Sequence, residues 1–110
     1  MNWIPLISEE QLNEIAAKSF TKSQVIFKHS TTCSISSMAL NRLERSEAPA
    51  NGDFYYLDLL NLRPISIAIA EKFQVHHESP QIIVIKNGEC VYDESHYGIS
   101  MDEIAEQLAD

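Results

Sequence analysis

Cysteine is scarce in this chain: Cys33 and Cys90 are the only two among 110 residues. Two thiols cannot build the disulfide framework of a small secreted domain, so the expected compartment is reducing and any cysteine chemistry transient. Basic residues are also few. Lys plus Arg number 8 against 16 Asp plus Glu, for a formal net charge of −8. A surface that acidic repels phosphate backbones and anionic headgroups, which argues against nucleic acid and membranes as partners. Long apolar runs are missing, and no window approaches the ~18 consecutive apolar residues of a membrane span. The opening Met1-Asn2-Trp3-Ile4-Pro5 lacks a basic stretch followed by an apolar one. No signal peptide is therefore expected, and the expected location is cytoplasmic. Repeats, low-complexity tracts and linkers are absent too. The expectation is one domain, 1–110, and with 45% hydrophobic residues against 22% charged it can bury a core unaided.

What is present alternates between helical and extended patterns. Ser8-Glu9-Glu10-Gln11 reads as a capping box, with Ser8 as N-cap and Gln11 reaching back. Leu12, Ile15, Ala16 and Phe20 follow at helical spacing, predicting a helix from about residue 9 to 19. Val25-Ile26-Phe27-Lys28 is a short β-rich run, and after the polar Ser30-Thr31-Thr32 comes Cys33. From Ser34, residues Ile35, Met38, Ala39, Arg42 and Leu43 return to helical spacing. Ser46 to Gly52 reads as a loop and Phe54 to Leu60 as a second strand. Ile65, Ile67 and Ile69 alternate like a strand, yet Ile65, Ala68, Ile69 and Phe73 also lie one helical turn apart. Pro64 suits a first helical turn and a parallel crossover needs a helix here, so helix is the expectation. Gln81 to Ile85 is a strand, Asn87-Gly88 a hairpin signal, and Glu89 to Asp93 the returning strand. Ser100 caps a last helix carrying Met101, Ile104, Ala105 and Leu108. The order α-β-α-β-α-β-β-α gives an α/β fold in which a parallel βαβ half meets an antiparallel hairpin in one four-stranded mixed sheet. Trp3, Leu12, Phe20, Phe27, Phe54, Leu59, Phe73, Ile83 and Val84 are its expected core.

Cys33 falls where a strand ends and a helix begins. Unpaired backbone N–H groups and the positive end of a helix dipole meet there, and both favour a thiolate. Thr31, Thr32, Ser34 and Ser36 supply hydroxyls, and no acidic residue lies between Lys28 and Leu43. A dithiol oxidoreductase needs a second cysteine three residues on; here Cys33-Ser34-Ile35-Ser36 offers a serine. A hydroxyl can bond a thiolate but cannot resolve a disulfide. The site is read as monothiol, with Cys33 as nucleophile and an external thiol as resolving agent. Ser79-Pro80 directly precedes a strand. In folds of this kind such a bond is often cis and leaves the preceding backbone free to pair with an extended substrate.

These features resemble the thioredoxin fold. More narrowly, His29-Ser30-Thr31-Thr32-Cys33-Ser34-Ile35-Ser36 resembles the active-site stretch of the YtxJ-like monothiol bacilliredoxins. The likeness continues through Tyr56-Leu57-Asp58, Asn61-Leu62-Arg63-Pro64, Glu78-Ser79-Pro80-Gln81, Lys86-Asn87-Gly88 and Ser95-His96. It implies cytosolic removal of bacillithiol from mixed disulfides on S-thiolated proteins. Bacillithiol would be the low-molecular-weight thiol co-substrate, and no metal is expected. Ser34 stands where the family usually has proline, which restores a backbone donor beside the thiol.

Other residues carry two readings each. His29 either holds a proton near the thiolate or is a strand-end residue. Cys90, on a hairpin strand, reads as a bystander thiol. His76-His77 reads as a solvated loop, and His96 is of interest through the resemblance alone. Arg63 and Lys86 are the basic residues that the resemblance brings nearest the site, where they would meet a bacillithiol carboxylate. Two other functions fit a single reactive-site cysteine: an iron–sulfur carrier of the monothiol-glutaredoxin kind, and a redox-inert adaptor binding beside Pro80.

Overall fold

Turn and capping residues cut the chain into ten short elements in the computed structural model, which describes residues 1–109. They are β1 (Ile4–Pro5), α1 (Glu10–Lys18), β2 (Ser23–His29), α2 (Ser34–Glu44), β3 (Gly52–Asp58), α3 (Arg63–Phe73), β4 (Gln81–Lys86), β5 (Glu89–Ser95), a 3-10 turn (His96–Gly98) and α4 (Met101–Leu108). The strands form one sheet in the order β1-β3-β2-β4-β5. β1, β3 and β2 run parallel; β4 is antiparallel to both β2 and β5.

Helices cover both faces, so every residue of β2 is buried. Alternation then sorts its side chains. Ile26 joins Leu12, Ile15, Ile69 and Ile83 in the layer under α1 and α3. Val25 and Phe27 join Ala39, Leu43, Val84 and Ile104 in the layer under α2 and α4. By the same alternation Lys28 follows Ile26 and His29 follows Phe27. Pro64 lies in the first turn of α3, so the segment with two competing periods is helical, as the crossover requires.

The sheet has five strands, one more than the four expected. Ile4 and Pro5 pair with Tyr55 and Tyr56, and a two-residue strand ending in proline carries no periodic signal. The start of α1 keeps half of the expected box. Gln11 Oε1 accepts from the backbone N–H of Ser8 at 3.0 Å and of Ile7 at 2.7 Å, while the Ser8 side chain caps nothing and Glu9 is the N-cap. Phe20, expected in the core, is 64% exposed. The helix has ended at Lys18, and the turn after it folds onto the hairpin, where Asn87 N–H donates to Ser19 O and Gly88 N–H to Ser19 Oγ. That hairpin carries φ of 53° at Asn87 and 79° at Gly88, the left-handed pair an Asn-Gly turn supplies. Ser100 Oγ accepts from Glu103 N–H, capping α4 as expected. Register places Asp58 beside His29 and Gln81 beside Lys28, so one end of the sheet gathers the ends of β2 and β3 with the start of β4.

Candidate active site

At that end of the sheet β2 gives way to a turn in which Cys33 N–H donates to Ser30 O at 3.1 Å. Cys33 is the N-cap of α2, with extended backbone (φ −100°, ψ 122°), and its carbonyl accepts from Ser37 N–H. The first turn of α2 holds no acidic residue, and the half-buried sulfur makes no capping hydrogen bond. It sits at the positive end of an eleven-residue helix without being consumed as a cap. Thr31, Thr32 and Ser34 are exposed around it, and Ile35 is half-buried.

Ser36 is fully buried. Its Oγ lies 2.7 Å from His29 Nδ1 and accepts from Ser30 N–H at 3.0 Å. Among the described residues, no hydroxyl is within hydrogen-bonding geometry of the Cys33 sulfur. The serine of the Cys-x-x-Ser pattern is instead tied to the strand end. His29 stacks on Phe27 (centroids 5.7 Å apart) and lies 5.5 Å from the Tyr56 ring. Burial pushes its pKa down, opposed by the charges of Asp58 and Glu44. His29 is thus the last residue of β2 and buried rather than partly exposed, and its ring bonds Ser36 and not the Cys33 sulfur.

The Ser79–Pro80 peptide bond is cis. Pro80 is buried and its carbonyl accepts from His96 N–H at 3.1 Å. Ser79 Oγ is enclosed without a hydrogen-bond partner among the described residues. Two side chains fix the loop ahead of this bond. Buried Gln81 donates from Nε2 to His76 O (2.9 Å) and accepts at Oε1 from Glu78 N–H (3.2 Å). Lys28, fully buried, donates from Nζ to His77 Nδ1 at 3.1 Å and to Ser66 O at 3.4 Å. Burial lowers the Lys28 pKa to about 8, and His77 is lowered by burial first and then by Lys28. His77 is thus a loop anchor, while the side chain of its neighbour His76 is 88% exposed. Lys28 was missed as a positioning group. The available signal was a lysine inside a β-rich run whose two faces are both covered.

Cys90 lies elsewhere. It pairs with Ile85 near the hairpin, whereas Gln81, at the other end of β4, pairs with Lys28. Four residues along a strand and two strands across put it roughly 13 Å and 10 Å away from the site's end of β2. A disulfide needs Cα atoms within about 7 Å. Burial, and then Asp93, raise its pKa. Arg63 starts α3 and lines, with Leu59, Ser66, Ile67 and His77, a cavity of about 370 Å³. Leu59 N–H donates to His29 O, so this cavity adjoins the site.

Residues 4–104 match the family described as monothiol bacilliredoxin BrxC. A solved structure described as an oxidoreductase with a thioredoxin fold is 34% identical, with a TM-score of 0.78, covering 94% of this chain and 90% of that one. Thioredoxin from Trypanosoma brucei brucei superposes with a TM-score of 0.75 at 18% identity, covering 99% and 93%. Malassezia sympodialis thioredoxin gives 0.72 at 17% identity, covering 97% and 88%. These last two share the fold. No helix among the described residues is long and apolar enough to cross a membrane.

Proposed function

The chain belongs to the monothiol bacilliredoxin family, a group of thioredoxin-fold redox proteins, and on that premise we propose that it strips bacillithiol from mixed disulfides on cytosolic proteins. The Cys33 thiolate attacks the bacillithiol sulfur of a protein–bacillithiol disulfide. A new S–S bond forms on Cys33, the old one breaks, and the protein sulfur leaves as a thiolate that takes a proton from water. A free low-molecular-weight thiol then attacks the adduct, regenerating the Cys33 thiolate and leaving as a symmetric disulfide. The observation that carries the reading is the separation of the two cysteines: Cys33 at a helix start, Cys90 at the opposite end of the sheet. With Ser36 at the resolving position and its hydroxyl committed to His29 and Ser30, the chain has no internal sulfur for the second step. Ser79, ahead of the cis bond, offers backbone to an extended substrate, and Arg63 at the adjoining cavity offers a cation to a carboxylate of the thiol.

The test follows intact masses after mixing this protein with a test protein carrying bacillithiol. Glutathione-loaded test protein and a Cys33→Ser variant run in parallel. Rapid transfer of the bacillithiol mass onto Cys33, absent in the variant, is the expected outcome. Equal transfer by Cys33→Ser, or none from either adduct, would remove the proposal.

A further inference from the structure

Lys28 and Gln81 sit directly opposite each other on β2 and β4, so their side chains share one face of the sheet. Both are fully buried. The shortest hydrogen bonds of both leave the sheet for three consecutive residues. Gln81 holds His76 O and Glu78 N–H, at 2.9 and 3.2 Å, and Lys28 Nζ holds His77 Nδ1 at 3.1 Å. An ammonium only donates, so Nδ1 accepts and the ring proton of His77 is on Nε2. No carboxylate is among the partners of Lys28, and a buried cation without one destabilises the fold. Such departures from local consistency are expected where function uses them. Here the cation's reach ends on the loop that leads into the cis bond. Next along the chain is Ser79, whose backbone N–H and C=O make no hydrogen bond among the described residues. Its neighbours are fixed on both sides, Glu78 by Gln81 and the Pro80 carbonyl by His96 N–H.

We propose that Lys28 is a positioning residue that determines specificity: by holding His77 it sets the course of the Ser79 backbone, and so favours disulfides on an extended polypeptide over small free disulfides. A strand added at Ser79 gains main-chain hydrogen bonds most fully when that backbone is already in place, because a loose loop has to be ordered at each encounter. A disulfide without a peptide backbone gains nothing from Ser79 and meets Cys33 alone. His77 itself is exposed, so the tether can be cut from the solvent side without opening the core.

This rests on Cys33 being the reacting thiol and on Ser79 as the backbone that receives substrate. Two probes, neither containing bacillithiol, test it: hydroxyethyl disulfide, and an unstructured peptide whose single cysteine carries mercaptoethanol in a mixed disulfide. The Cys33 thiolate bonds to one sulfur of the probe and the other leaves as a thiolate, so the sum of adducts on Cys33 is followed by intact mass. In Lys28→Met, which keeps the buried volume, the ratio of peptide to small-disulfide rates should fall about tenfold, the equivalent of one hydrogen bond. His77→Leu should lower it as far, and should decide alone if Lys28→Met fails to fold. His77→Asn, whose amide oxygen takes the place of Nδ1, should restore the wild-type ratio. An unchanged ratio, equal slowing of both probes, or a fall that His77→Asn does not reverse would overturn the proposal. No adduct from either probe would remove the Cys33 reading and the proposal with it, whereas failure of bacillithiol transfer would leave both rates as they are.

Discussion

Replacing Lys28 by methionine should stabilise this protein. Lys28 is fully buried, and its partners are a backbone carbonyl and an imidazole nitrogen, neither of which carries a compensating negative charge. Burial lowers its pKa from 10.5 to about 8. That drop corresponds to a penalty of ~3 kcal/mol against the charged form in the folded state. A lysine whose folded pKa lies below its unfolded value costs stability wherever both states are charged. The penalty is therefore full below about 8, fades as pH rises, and is gone near 10.5, where the unfolded lysine also loses its proton. Methionine fills a similar volume without charge. It forfeits two hydrogen bonds, one of them 3.4 Å long, worth about 0.5–1.5 kcal/mol each. His77 Nδ1 keeps the Ser66 hydroxyl at 3.3 Å. The net gain near neutral pH is about 0–2 kcal/mol, the upper end favoured by the length of the second bond, which for a chain this size raises Tm by up to roughly 8 °C. Thermal melts of both proteins across a pH series measure it. A lower Tm for Lys28→Met at neutral pH, or a gain undiminished as pH approaches 10.5, would refute the reasoning.

Cys90→Ser should leave transfer of a thiol adduct onto Cys33 unchanged, because Cys90 is at the far end of the sheet and its thiol is held up by burial and Asp93. Intact-mass kinetics of the variant check this, and a trapped Cys33–Cys90 disulfide in the wild type would contradict it. Ser100→Ala removes the one side-chain cap of α4, and should cost about 1 kcal/mol or ~4 °C in Tm. A denaturant melt showing no loss would mean that the packing of Ile104 and Leu108 alone sets the start of that helix.

Much of the fold was legible because its signals are local. Asn87-Gly88, Ser100 and Pro64 each dictate a backbone conformation within a few residues, and each lies where its chemistry demands. The placement of Cys33 was legible for the same reason, since the end of a β-rich run and the start of a helical one bracket it. What stayed hidden depends on contacts across the chain. Phe20 continues the helical period, but the helix ends at Lys18 and the hairpin holds the following turn. Ser36 was read as a partner for the thiolate on spacing along the helix. Its actual partners, His29 and Ser30, reach it from the strand end, and no helical period contains them. Lys28 joins His77 across 49 residues and Ser66 across 38. Only the register of the folded sheet brings those three together.

The two rims of the sheet are poorly suited to edge-to-edge pairing with another chain. β1 offers two residues of edge, and Pro5 has no N–H to lend. β5 at the opposite rim carries Glu89, Asp93 and Glu94, and the pairing slips where Cys90 opposes Ile85 but Tyr92 opposes Val84, leaving Val91 unmatched. Such a kink bends a strand away from any flat neighbour. Between these rims lie Val25–Phe27 and Ile82–Ile85, segments of the kind that stack into fibres when exposed. One rim is too short to serve as a template for another chain, and the other too acidic and too bent, so the most aggregation-prone segments are shielded by the least adhesive strands in the molecule.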